Sequence, residues 1–150
     1  MFEKRSDYEA NILSDIFQLS NRLQVYLDKK FIEDDITAKQ FIMLSVVDSF
    51  KNEHPTFTDI GEKLGSSRQN VKQLALKLEH NDFIRITLDT SDSRSKRVSL
   101  TVKGRSYWEN DDIFDKSFVT SLFSKVSTTQ LKNIHHSMVS ITEELPTNNK

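Results

Sequence analysis

Arg68, Gln69, Asn70, Lys72 and Gln73 lie within the six positions from 68 to 73, and all of them carry planar or cationic hydrogen-bond donors. Arginine pairs bidentately with the guanine edge, and glutamine or asparagine pairs in the same way with adenine, so a helix bearing this set has the chemistry to read a major groove. Some twenty residues later Arg94, Lys96 and Arg97 cluster around a short polar turn. A projecting arginine there suits a narrow, electronegative minor groove. Taken singly, each cluster is also what an ordinary solvated helix face or a solubilising loop shows.

The elements that must position these residues are locally encoded. Ser66 or Ser67 can cap the N-terminus of the helix that carries the 68–73 set, with Gln69 three residues after Ser66 to complete a capping box. Val71, Leu74, Ala75 and Leu78 then repeat at helical spacing and form an inward face, which leaves Arg68, Gln69, Lys72 and Gln73 outward. Leu76 also falls on the outward side, where a polar residue is expected. Arg85-Ile86-Thr87-Leu88 and Arg97-Val98-Ser99-Leu100 alternate apolar with polar around the tip from Asp89 to Lys96, which predicts a two-stranded hairpin. Upstream, Thr58 is placed to cap a short helix that Gly65 closes, and Thr37 with Gln40 makes a capping box ahead of Phe41, Leu44 and Val47, a stripe widened by Met43 and Val46. Lys51 to Pro55 breaks the pattern between these two helices.

Two longer apolar stripes flank this centre. Ile12, Ile16, Leu19, Leu23 and Tyr26 or Leu27 predict an amphipathic helix over residues 8–30. After the hairpin, Thr101 can cap a helix carrying Tyr107, Trp108, Phe114, Phe118 and Leu122. Ser127 to Gln130 is a further capping box, before Leu131, Ile134, Met138, Ile141 and Leu145 at the spacing of a helix-helix seam. A helix-turn-helix reads a two-fold site best as a symmetric dimer, and these terminal stripes are the surface left to build one.

Asp92-x-Arg94 followed by Leu100-Thr101-x-x-Gly104 is similar to the wing motif of the MarR (multiple antibiotic resistance regulator) family of bacterial transcription regulators. Ile36-Thr37-x-x-Gln40-Phe41-x-x-Leu44 resembles that family's second helix, Ile60-Gly61-Glu62-Lys63-Leu64-Gly65 its third, and Leu78-Glu79 through Phe83-Ile84 the end of its recognition helix. The resemblance covers roughly residues 36–104. It implies a mainly α fold with a small β-hairpin wing, in a single unit over residues 1–150: a winged helix-turn-helix at 36–104, with helical dimerisation regions at 8–30 and 105–145. It further implies a homodimeric repressor bound to a palindromic double-stranded DNA operator. Release would come from a small aromatic or phenolic effector, with Tyr26, Met43 and Trp108 as lining residues whose alternative is plain core packing. The expected DNA contacts are Ser67, Arg68, Gln69, Asn70, Lys72, Gln73 and Lys77 on the helix, with Asp92, Arg94, Lys96 and Arg97 on the wing. Lys72 and Lys77 would hold phosphate while the planar groups read bases. Asp92 would orient Arg94 through a charge-assisted hydrogen bond.

The whole chain is consistent with that reading. Its 150 residues, 36% hydrophobic and 29% charged, suit one globular folding unit. The formal net charge is -1. Residues 58–105, however, hold ten Lys/Arg against six Asp/Glu, a net of +4, and the rest of the 21 basic and 22 acidic residues divide as 11 against 16, a net of -5. Affinity for DNA follows local phosphate neutralisation, so the local figure decides. The absence of cysteine excludes disulfides, thiolate metal sites and cysteine-based redox sensing. The charged first twenty residues and the lack of a long apolar run predict a cytoplasmic chain with no membrane span. There is no P-loop, G-x-S-x-G, H-E-x-x-H or Gly-rich dinucleotide turn, so neither an enzyme nor a bound cofactor is expected. Adjacent His135 and His136 point about a hundred degrees apart on a helix, which excludes joint chelation, so no metal is expected. The competing reading is a winged helix used as a protein-protein module without DNA, which needs neither the amide-and-arginine helix face nor the basic wing tip.

Overall fold

A computed structural model describes residues 4–92, 94–109 and 116–146, apart from the side chains of Trp108 and Lys116. Contacts divide the chain into two compact units, Met1–Gly104 and Arg105–Lys150. Among the described residues no helix is long and apolar enough to cross a membrane.

The first unit opens with α1, Arg5–Lys30, which has Asp7 in its first turn and Lys29 and Lys30 in its last, each complementing the helix dipole. Leu27 is its one buried residue among those described. Asp28 Oδ1 accepts from the Ala38 N–H at 2.6 Å, which ties the end of α1 to the start of α2, Ala38–Ser49. At that start the expected capping box is present: Thr37 accepts from the Gln40 N–H at 3.3 Å, and Gln40 Oε1 accepts from the Thr37 N–H at 2.8 Å. The same bond satisfies the amide oxygen of Gln40, a polar residue in an otherwise apolar core. Phe41, Met43, Leu44 and Val47 of α2 are buried, with Phe31 stacked against Phe41 at 4.9 Å between ring centroids.

The next helix, α3, spans Phe57–Leu64 and is capped by Thr56, not by Thr58. The reason is reciprocity. Thr56 accepts from the Asp59 N–H while Asp59 returns an acceptor to the Thr56 N–H at 2.8 Å, whereas three residues beyond Thr58 stands Gly61, which has no side chain to reach back. Gly65 ends α3 at φ 64°, a left-handed position that glycine takes without a Cβ penalty. The Ser66 N–H then bonds to the Gly61 carbonyl at 2.9 Å, and α4 begins at once, Arg68–His80. Any Cβ at Gly61 would lie 2.6 Å from the Ser66 oxygen, so this tight turn requires glycine there.

After α4, Asp82 turns the chain at φ 59° into the antiparallel hairpin β1, Ile84–Leu88, and β2, Lys96–Leu100. The register pairs Ile84 with Leu100, Ile86 with Val98 and Leu88 with Lys96. Ile84 and Val98 are buried against the helices. The residues before α3 extend the sheet: Val98 donates to the Pro55 carbonyl at 2.9 Å, and Thr56 bridges Arg97. Thr101 then locks the hairpin root, donating to the Asp82 carbonyl at 2.6 Å and accepting from the Gly104 N–H at 3.0 Å as the cap of α5, Val102–Glu109. The mainly α fold with a hairpin wing is therefore as the sequence predicts.

In the second unit α6 spans Lys116–Leu122 and α7 spans Thr128–Glu143, the latter opened by the Ser127/Gln130 capping box. The sequence predicts one helix from Thr101 through Leu122. The described parts of that span are α5 and α6, and Phe114, with the residues between the two, lies outside the described residues. Ile134, Met138, Ile141 and Leu145 are all exposed, as are Ile12, Leu13, Phe17 and Leu19 of α1.

A Cβ at Gly104 would sit 1.9 Å from the Phe83 carbonyl oxygen. Gly104→Ala must therefore force the hairpin root apart, and urea unfolding should show a loss of about 1–3 kcal/mol or more.

Candidate nucleic-acid interface

The inner face of α4 is enclosed: Val71, Ala75 and Leu78 are fully buried, and Leu74 is half-buried. Arg68, Gln69, Asn70, Lys72, Gln73 and Lys77 consequently stand exposed on the other side. Among the described residues no hydrogen bond or ion pair engages the side chains of Arg68, Gln69, Lys72 or Gln73, so their donors are available to a ligand. Asn70 is partly committed, since its Nδ2 donates to Ser66 Oγ at 2.7 Å. Lys77 lies 3.8 Å from Asp35, an exposed pair of little strength in water.

The cap of α4 differs from one of the two expectations. Ser67 is the N-cap, accepting from the Asn70 N–H at 3.2 Å, and no Ser66/Gln69 box forms. Ser66 instead serves the turn through its backbone and Asn70 through its hydroxyl. Gln69 is thereby left free on the outer face.

Leu76 is 49% exposed and borders a cleft of about 290 Å³ between α4 and the hairpin, together with Lys72, Ile86, Leu88 and Lys96. Its outward position thus faces the wing's flank. Glu79 lines the same cleft and accepts from the Ile86 N–H at 2.8 Å, joining the helix to the wing.

At the wing tip the acidic residues organise the turn. Asp92 Oδ1 accepts from the backbone N–H of Arg94 at 3.0 Å and Oδ2 accepts from Ser95 Oγ at 2.9 Å. Asp92 therefore holds Arg94 by a charge-assisted hydrogen bond, as expected, and does so through the Arg94 main chain. That geometry leaves the Arg94 side chain exposed and, among the described residues, unengaged. Lys96 is likewise exposed. Arg97 is not a free cation of the tip: its Nε donates to Asp89 and its Nη1 to the His54 carbonyl at 2.9 Å. Asp89, absent from the expected set, collects the Ser91 hydroxyl at 2.7 Å, the Ser91 N–H at 2.8 Å, Arg97 and the Asp92 N–H. These donors, the Ser91 hydroxyl foremost, hold its carboxyl well below the usual carboxylate range. The lowered pKa means that the folded tip binds the ionised form, so the interaction is complete above the ordinary aspartate range and is lost only in strong acid. Asp-x-Ser at the head of a polar turn is the local signal that marks such a residue.

The three residues expected around an effector are not alike. Met43 is fully buried in the core, Tyr26 on α1 is 45% exposed, and the Trp108 side chain lies outside the described residues.

No protein-family model and no curated protein matches this sequence. Solved structures do match it. The S. aureus MepR–DNA complex superposes with a TM-score of 0.76 at 23% identity, over 88% of this chain and 97% of MepR. A MarR protein from Peptoclostridium difficile DA00132 superposes with a TM-score of 0.81 at 17% identity, over 95% of this chain and 91% of its own. The chain has the MarR-type winged-helix fold. Bordetella bronchiseptica BpsR, described as regulated in its DNA binding by 6-hydroxynicotinic acid, shares that MarR-type architecture with a TM-score of 0.70 at 18% identity, over 87% of this chain and 98% of BpsR. In terms of the MarR-type fold α3 and α4 are the two helices of the helix-turn-helix, and β1–β2 are the wing.

The observed cap makes a discriminating prediction. Ser67→Ala should cost about 1 kcal/mol of stability in urea unfolding, and Gln69→Ala should stay within about 0.5 kcal/mol. A comparable loss from Gln69→Ala would mean that its side chain caps the helix.

Proposed function

We propose that the protein is a sequence-specific, double-stranded-DNA-binding transcription regulator of MarR type, a binding protein and not an enzyme, acting in the cytoplasm as a homodimeric repressor. The observation that carries this reading is the unengaged outer face of α4, where Arg68, Gln69, Lys72 and Gln73 stand exposed beside a wing whose Arg94 is also free. Paired donors on a rigid helix are what base-edge readout needs, and the local excess of cations is what phosphate neutralisation needs. The likeness to the MepR–DNA complex supports the same partner.

Dimerisation is supported by the exposed apolar faces of α1 and α7. Ile12, Phe17 and Leu19 on one, and Ile134, Met138 and Ile141 on the other, stand in water in the single chain. Covering such rows is favourable by about 25 cal/mol per Å² of apolar surface. A two-fold assembly would present two recognition helices to a palindromic operator. Release by a small aromatic or phenolic effector is supported by the BpsR likeness, with Tyr26 as the accessible one of the expected lining residues that the structure describes.

Selection of bound sequences from a random DNA pool tests partner, symmetry and half-site spacing together. Recovery of a two-fold motif is the expected result, and failure to enrich any sequence would point to a protein partner instead. Gln69→Ala and Gln73→Ala should each lose about 1–3 kcal/mol on the selected site with little change on random duplex. Lys72→Ala should weaken both about equally and lower the salt slope by about one unit. In sedimentation the full chain should run as a dimer at micromolar concentration. A chain ending before Thr128 that stayed dimeric would remove α7 from the interface.

A further inference from the structure

The wing carries a cation that is engaged within the fold, Arg97, and an acid that a DNA-binding surface would be expected to exclude, Asp89. Arg97 and Asp89 are joined to each other, and Arg97 continues to the His54 carbonyl in the segment that precedes α3. A two-stranded hairpin is marginal by itself and can swing about its root. Against the segment that precedes α3 it is held at two points. One is the backbone, where Val98 donates to Pro55 and Thr56 bridges Arg97. The other is the side-chain path from His54 through Arg97 to Asp89. The Asp89 side chain is only 6% exposed, and the tip closes over it through the Asp89 N–H to the Ser95 carbonyl at 2.9 Å. Asp92, whose N–H points to Asp89, in turn holds the N–H of Arg94.

We propose that Asp89 and Arg97 are positioning residues: with the His54 carbonyl they clamp the wing to the segment before α3 and so set where Arg94 meets the DNA. This rests on the DNA-binding reading above. The clamp makes Arg97 a structural cation already neutralised by Asp89, so it adds no phosphate contact. Lysine cannot replace it, because the two bonds leave two different nitrogens of one planar fork.

The test compares wild type with Asp89→Asn, Arg97→Lys, Arg94→Ala and the double variant Asp89→Asn/Arg94→Ala. Each is titrated against the duplex selected from the random pool and against random duplex, with thermal unfolding as the control for folding. The clamp predicts that Asp89→Asn weakens binding to the selected duplex by about 5- to 100-fold although it removes a negative charge, the range of a lost narrow-groove contact. Arg97→Lys should weaken it comparably although it keeps the charge. In the Arg94→Ala background Asp89→Asn should change affinity by less than about twofold, because both act through one contact. A general loss of fold would lower affinity in either background, so this non-additivity separates positioning from unfolding. If Asp89→Asn tightens binding to both duplexes, if Arg97→Lys binds as wild type, or if the Asp89 and Arg94 losses add, the clamp is overturned while the DNA reading stands. If wild type binds neither duplex at any salt, the DNA reading falls and the clamp's role falls with it.

Discussion

The constraint on which the structure depends is the burial of the inner face of α4. Val71, Ala75 and Leu78 are sealed against a core that includes Leu44, Ile60 and Phe83, and each large apolar side chain so enclosed contributes about 1.5–3 kcal/mol relative to exposure. A helix packed in this way cannot rotate about its axis without exposing that face. Its polar side is therefore presented in one orientation, and the free donors of Arg68, Gln69 and Gln73 gain a direction that the same residues on a mobile segment would lack. The Gly61/Ser66 approach serves the same end, since it sets the angle at which α4 leaves α3.

The wing is organised by a different kind of force. Its tip has few apolar residues to bury, so carboxylates gather backbone and side-chain donors in place of a core. Asp89 and Asp92 between them accept from Ser91, Asp92, Arg94, Ser95 and Arg97. Charge alone counts these acids against DNA affinity. In the proposed DNA-binding role geometry counts them in favour, because they turn a polar loop into a support for Arg94. The functional reading of the wing thus depends on position more than on net charge.

The exposed apolar faces of α1 and α7 stand in contrast to the closed core of the first unit. In α1 Leu27 alone of the described residues is buried, and in α7 none is. Helices of 26 and 16 residues keep Phe17, Ile134 and Met138 exposed in the described chain. That pattern is what the proposed association of two chains would cover.

Period and capping are local properties, and by itself the sequence determined them: the helix register of α2 and α4, the Thr37/Gln40 and Ser127/Gln130 boxes, the left-handed Gly65, the hairpin alternation and the outward set at 68–73. Each needs only residues within one or two turns of one another, so the pattern is written where it acts. Tertiary structure decided what depends on residues distant in the chain. Arg97 reads as a DNA cation beside Arg94 and Lys96 until folding brings the His54 carbonyl, 43 positions earlier, to its guanidinium. Leu76 reads as an anomaly on a polar face until the hairpin places Leu88 and Ile86 beside it. The choice of Ser67 over Ser66 was open locally, because two hydroxyls competed for one helix end, and Ser66 is engaged in the turn from α3, whereas the Thr56 cap follows from Asp59 three residues on and was there to be read in the sequence.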